Sequence, residues 1–199
     1  MRPVGVFNGR SVVAYDGGSS MSAGRAWWLL RYFGHRDVAV LDGGLAAWVA
    51  AGYPLSTDAG PAEPGDFIAR AGAMAVLSAE DAAAIAARGA LLDVRAPERF
   101  RGEREPIDAV AGHIPGALNV PATVTTDPSG RFLDRHTLRQ LFEQAGLSCE
   151  ERIGAYCGSG VVAAHEVLAL EVAGYDAALY PGSWSEWISN PRRPIARGD

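Results

Sequence analysis

Ile153-Gly154-Ala155-Tyr156-Cys157-Gly158-Ser159-Gly160-Val161-Val162-Ala163 is the stretch that decides the fold. Ile153 to Tyr156 is a short apolar run and reads as a strand. Cys157 to Gly160 reads as a tight loop, and Val161 to Ala173 as a helix with Gly174 just past its end. Strand, loop and helix in immediate succession form the unit of a parallel α/β sheet, where ligands bind outside the carboxyl ends of the strands. The loop glycines let backbone N–H groups point inward, and the helix start adds partial positive charge. Both stabilise negative charge on sulfur, which makes Cys157 a candidate nucleophile. The competing reading is an inert core cysteine. A Cys-dependent phosphatase is a further alternative. It would want an Arg six positions after the Cys and a His before it, where this chain has Ala163 and Tyr156.

The same alternation extends to both sides. Ser11–Asp16 and Val38–Leu41 read as buried strands, with a helix from Ser20 to Phe33 between them stopped by Gly34, and a short helix from Leu45 to Ala51 after them. Residues 56–73 are rich in Pro, Gly and small polar residues and read as a linker. Ser78, with Asp81 three residues on, opens a helix to about Arg88. Ala90–Val94 is a strand, residues 96–117 a long functional loop, and Asn119-Val120 a short strand. Asp134–Ala145 is an amphipathic helix, Ala177–Tyr180 a strand, and Ser183–Ile188 a helical turn or two.

Two stretches share one order of parts. Ala14-Tyr15-Asp16-Gly17-Gly18 matches Ala155-Tyr156-Cys157-Gly158-Ser159, and each leads to a helix, a strand, a Gly-containing turn (Gly43-Gly44 or Gly182-Ser183) and a Trp (Trp48 or Trp187). Duplication explains this better than chance. The second copy has a thiol where the first has a carboxylate, and the first has no counterpart of residues 74–150.

The 199 residues are 48% hydrophobic, enough for one good core or a core and part of a second. The net charge is -5 with no Lys/Arg block, which argues against a nucleic-acid partner. No apolar run approaches the roughly 20 residues of a membrane span. The opening Met1-Arg2-Pro3-Val4-Gly5 does not read as a secretory signal, so a cytoplasmic location is expected. The two cysteines, Cys149 and Cys157, make no disulfide framework, and zinc-ligand spacings are missing.

Taken in order, Asp42-Gly43-Gly44 with Trp48, Leu92-Asp93-Val94-Arg95, Arg99-Phe100-Arg101-Gly102, Gly112-His113-Ile114-Pro115-Gly116-Ala117, Cys157-Gly158-Ser159-Gly160-Val161 and Gly182-Ser183-Trp184-Ser185-Glu186-Trp187 resemble the two-domain rhodanese-type sulfurtransferases. The resemblance implies a rhodanese-like α/β domain with a mainly parallel central sheet flanked by helices at 74–199. A linker at 57–73 and the C-terminal half of a second, inactive rhodanese-like domain at 1–56 would precede it. It implies transfer of a sulfane sulfur from 3-mercaptopyruvate or thiosulfate to cyanide or a thiol through a Cys157 persulfide, without metal or organic cofactor. Ser159 would assist proton transfer and Arg99 would bind the donor carboxylate, an anion clamp in physical terms. Gly158, Gly160, Val161 and Val162 would line the substrate loop, and Asp93, Arg95 and His113 would brace it.

The chain departs from the family at three points. Val162 replaces the usual Thr. The second substrate-binding Arg would fall near Asp108, with Arg104 as a substitute. The opening of the first domain, which in complete members helps to line the cleft, has no counterpart. Residues 1–56 should therefore expose an open sheet edge and an apolar face. The alternative reading is a truncated, weakly active or non-catalytic persulfide carrier or partner-binding module. Cys149, beside Glu150-Glu151, reads as an inert surface thiol rather than a redox partner. His165, Trp184 and Trp187 read as packing residues.

Overall fold

A computed structural model describes residues 5–58, 63–148 and 152–199; Cys149 and residues 59–62 of the expected linker lie outside them. The chain divides into two compact units, residues 1–74 with 128–131, and residues 75–127 with 132–199.

In the first unit, β1 (Val12–Ala14) and β2 (Val38–Val40) pair in parallel, with α1 (Met21–Tyr32) between them and α2 (Gly44–Ala50) after them. A small core forms around Val6, Leu30 and Phe67. Phe67 lies in the segment read as a linker, and its N–H bonds the Val6 carbonyl. Both strands were expected to be buried, and neither is. Their central residues are exposed, Val13 at 57%. Three β-branched or small residues in a row fit a covered strand, yet only one face of this two-stranded sheet is covered. Val13, Tyr15, Leu41, Leu45, Trp48 and Leu55 line an apolar groove of about 400 Å³ on this unit.

The second unit is built on four parallel strands in the order β4-β3-β5-β6: β3 (Leu91–Asp93), β4 (Leu118–Asn119), β5 (Ile153–Tyr156) and β6 (Ala177–Leu179). Val76 adds an isolated parallel bridge to Leu179 at the outer edge. Every residue of β3 and β5 is buried, as a strand covered on both faces requires. α3 (Ala79–Ala86) begins with a complete capping box, Ser78 accepting from Asp81 N–H and Asp81 from Ser78 N–H. α5 (Arg135–Gln144) is capped by Asp134. α6 (Val161–Ala173) is apolar on nearly every side and ends at Gly174. α7 (Ser183–Ser189) carries Trp184 and Trp187 into the main core with Leu91, Ile114, Tyr156 and Tyr180. Two short elements were not expected: α4 (Pro97–Phe100), inside the segment read as a long loop, and a 3-10 turn at Ala122–Val124, where no element was assigned. No helix among the described residues is long and apolar enough to cross a membrane.

Candidate active site

Cys157 follows the last residue of β5 and is 3% exposed. Its loop is fixed from several directions. Cys157 N–H donates to Ser183 Oγ at 3.1 Å, and Cys157 C=O accepts Trp184 N–H at 3.0 Å. Gly160 N–H donates to Cys157 Sγ at 3.1 Å. Gly160 caps α6 at φ 77°, and a Cβ there would lie 2.4 Å from the Pro181 carbonyl oxygen, so only glycine fits. The sulfur thus faces a main-chain donor at the start of a 13-residue helix, an arrangement suited to an anion formed on it. Ser159 stands exposed at the loop, Val161 is exposed on the first turn of α6, and Val162 is half-buried beside it.

The first unit repeats this frame with a different occupant. Leu45 N–H bonds Asp16 C=O at 2.8 Å, the counterpart of Trp184 N–H on Cys157 C=O. The N-caps of α1 and α6 are both left-handed, Ser20 at φ 58° and Gly160 at φ 77°. Asp16 Oδ1 accepts N–H bonds from Gly18 and Ser20, and Oδ2 accepts from Ser22 and Ala23. Burial pushes this carboxyl up, and the four backbone bonds outweigh burial and leave it below the ordinary aspartate range. In that loop a side-chain anion fills the ring of amides.

Over the Cys157 loop lies the segment after α4. Arg99 Nη2 comes 3.7 Å from where a Cβ on Gly158 would stand, with Asp108 Oδ2 at 3.8 Å from the same point. Arg99 is held by Glu105 (Nη2 to Oε1, 2.7 Å) and by Asp108 (Nη2 to Oδ2, 3.1 Å). Asp108 Oδ1 lies 2.7 Å from the Ser185 hydroxyl, which lies 2.8 Å from the Gly158 carbonyl. Glu105 also accepts from Ile107 and Asp108 N–H. Burial raises Glu105, but the Arg99 bond and these backbone donors more than offset it, so it stays ionised below the usual glutamate range. Arg104 does not join the cluster: its side chain is exposed and its N–H bonds the Glu98 carbonyl.

Asp93 and Arg95 form a buried pair one layer below. Arg95 Nη2 is 2.6 Å from Asp93 Oδ2 and 2.6 Å from the Gly112 carbonyl, Nη1 is 3.3 Å from Glu105, and the guanidinium lies 4.7 Å from the centre of the Trp184 ring. His113 stacks on Phe100 at 3.6 Å, and its Nδ1 bonds the Phe100 carbonyl. His165 is buried with its Nε2 against the Thr125 hydroxyl and its ring stacked on Phe132. Trp184 and Trp187 donate to the Val110 and Pro194 carbonyls.

The sequence reading did not find Glu105, Asp108, Ser183 or Ser185 as site residues. One signal was available for Ser183. It occupies the place of Gly44 in the repeat, and both have left-handed φ, 54° and 57°. A serine accepts that strain here because its hydroxyl holds the Cys157 N–H and bonds the Tyr180 carbonyl.

The chain is similar to known proteins in sequence and in fold. The family model of the rhodanese-like domain matches residues 4–51 and 78–190. The chain is 50% identical over 197 residues to a Pseudomonas aeruginosa protein provisionally named a 3-mercaptopyruvate sulfurtransferase, covering 94% of this chain and 68% of that one. It is 45% identical over 203 residues to a Mycobacterium tuberculosis protein provisionally named a thiosulfate sulfurtransferase, covering 100% and 71%. The crystal structure of Escherichia coli SseA, described as a 3-mercaptopyruvate sulfotransferase, superposes with a TM-score of 0.81 at 37% identity, covering 93% and 71%. The chain spans about half the length of some larger solved chains that share the fold, 53% in one case.

Proposed function

Because this chain belongs to the rhodanese-like family of sulfurtransferases, we propose that it moves a sulfane sulfur from 3-mercaptopyruvate or thiosulfate to cyanide or a thiol through a persulfide on Cys157. The observation that carries this reading is the Cys157 sulfur under the Gly160 N–H at the start of α6, with the Arg99 guanidinium beside Gly158. The Cys157 thiolate attacks the outer sulfur of the donor. With thiosulfate, a new S–S bond forms on Cys157 and the old one breaks, releasing sulfite. With mercaptopyruvate, the C–S bond breaks, pyruvate leaves, and the thiol proton ends on its methyl carbon. Ser159, exposed at the loop, assists that proton movement. Arg99 orients the anionic donor, and the backbone of Gly158, Gly160, Val161 and Val162 lines the sulfur pocket. Asp93, Arg95 and His113 hold the loops in place. The acceptor then takes the outer sulfur and returns Cys157 to thiolate. Neither a metal nor an organic cofactor enters these steps. Residues 74–199 form the catalytic domain in this reading, and 1–56 an inactive partial copy whose Asp16 replaces the thiol.

Incubation with donor followed by intact-mass measurement tests the proposal. The native chain should gain the mass of one sulfur atom on Cys157, lose it to cyanide, and form thiocyanate. Cys157→Ser should gain none and fall to background turnover; sustained thiocyanate formation by that variant would reject the mechanism. The exposed apolar groove of the first unit favours a second reading, a persulfide carrier with little turnover of its own. Sulfur gain on Cys157 without multiple turnover would select it.

A further inference from the structure

The cation beside the nucleophile's loop is already partly neutralised. Arg99 is bound by two carboxylates, Glu105 at 2.7 Å and Asp108 at 3.1 Å. With Arg95 and Asp93 beneath them, two guanidinium groups face three carboxylates in this cluster. Glu105 is committed inward. It bridges Arg99 to the buried Arg95 and accepts two backbone N–H bonds, so it holds Arg99 from below. Asp108 is instead the more exposed of the two carboxylates on Arg99 and lies against Gly158. One of its oxygens is on Arg99 and the other is on Ser185, whose own N–H and hydroxyl both lie on the Gly158 carbonyl. It therefore stands beside the guanidinium edge that an incoming anion would meet over Gly158. An anion that reaches Arg99 must displace Asp108 or accept its charge at close range, and the cost rises with each negative charge that the donor carries.

We propose that Asp108 is a specificity residue that discriminates among sulfur donors by charge, disfavouring the thiosulfate dianion relative to monoanionic donors. This rests on the Cys157 persulfide reading. The residue acts through Arg99 and takes no part in bond making.

Two donors that present the same terminal sulfur on a sulfonyl centre isolate the effect: thiosulfate, a dianion, and methanethiosulfonate, a monoanion. In each, the Cys157 thiolate forms the new S–S bond and expels sulfite or methanesulfinate, so atoms and charge balance identically. The readout is kcat/KM for thiocyanate formation with each donor. Asp108→Asn should raise the thiosulfate-to-methanethiosulfonate ratio about tenfold, the scale of one charge interaction at this range in a partly screened site. Asp108→Ser, smaller and uncharged, should shift it the same way, and Asp108→Glu should keep the native ratio. An unchanged ratio in both uncharged variants, or an equal loss with both donors, overturns the proposal while leaving the persulfide mechanism in place. Failure of native Cys157 to take sulfur from any donor rejects both.

Discussion

Arg95→Ala is expected to destabilise the second unit by about 3–5 kcal/mol, the usual consequence of removing one partner of a buried ion pair. The side chain is 1% exposed, and Asp93 opposite it is fully buried. Without the guanidinium, Asp93 keeps the Arg95 N–H bond but loses its countercharge, the Gly112 carbonyl loses a donor, and Glu105 loses one of its two arginines. The Trp184 ring loses the cation packed over it. Arg95→Lys should recover little, because one ammonium cannot reproduce the paired bonds of Nε and Nη2 to Asp93. The exposed Arg101–Glu103 pair provides the contrast: its loss should leave stability nearly unchanged. Urea unfolding followed by tryptophan fluorescence measures both. A change below about 1 kcal/mol in Arg95→Ala would show that the cluster carries little of the stability assigned to it. Near-native stability with full donor turnover would also remove its bracing role.

The second large effect lies on α6. Glu166 is completely buried, and neither of its oxygens has a hydrogen-bond partner among the described residues. Burial alone pushes its carboxyl up to about 8 from an ordinary 4.5. The folded chain therefore keeps a proton that the unfolded chain releases between these two values. This stabilising contribution is fully present below the unfolded value and is lost as pH rises through about 8. Across that window the loss is on the order of 4 kcal/mol. Glu166→Gln should flatten the decline and be the more stable protein at alkaline pH, although its buried amide also lacks partners. Unfolding free energies at about pH 5 and about pH 8.5 test this, and parallel curves for native and variant protein would refute it. Glu105 acts on the acid side with opposite sign. Its contribution is present above the unfolded glutamate value and is lost as pH falls through its depressed folded value.

The fold of the second unit was legible because its signals are local. The capping box at Ser78, the Asp134 cap, the Gly174 stop and the strand–glycine–helix succession at Cys157 each specify backbone geometry within a few residues. The first unit was read less well. Val12–Ala14 and Val38–Val40 have the composition of covered strands, and whether a face is covered depends on chain that lies elsewhere. Within the candidate site, Cys157 and Arg99 were singled out from motif and resemblance. Asp108 was noted only as a place lacking an arginine, and Ser185 only as part of a motif. Their meeting at Gly158 depends on how the segment after α4 folds back over a loop some fifty residues further on. No periodicity or cap encodes such a return path.

The carboxylate of Asp16, satisfied by four amides of its own loop, has a consequence for stoichiometry. The first unit's loop comes already plugged, so it offers no lodging to sulfite or other small oxyanions. A calorimetric titration should saturate at one equivalent per polypeptide, and a signal of bound anion can be read as occupancy of a single address.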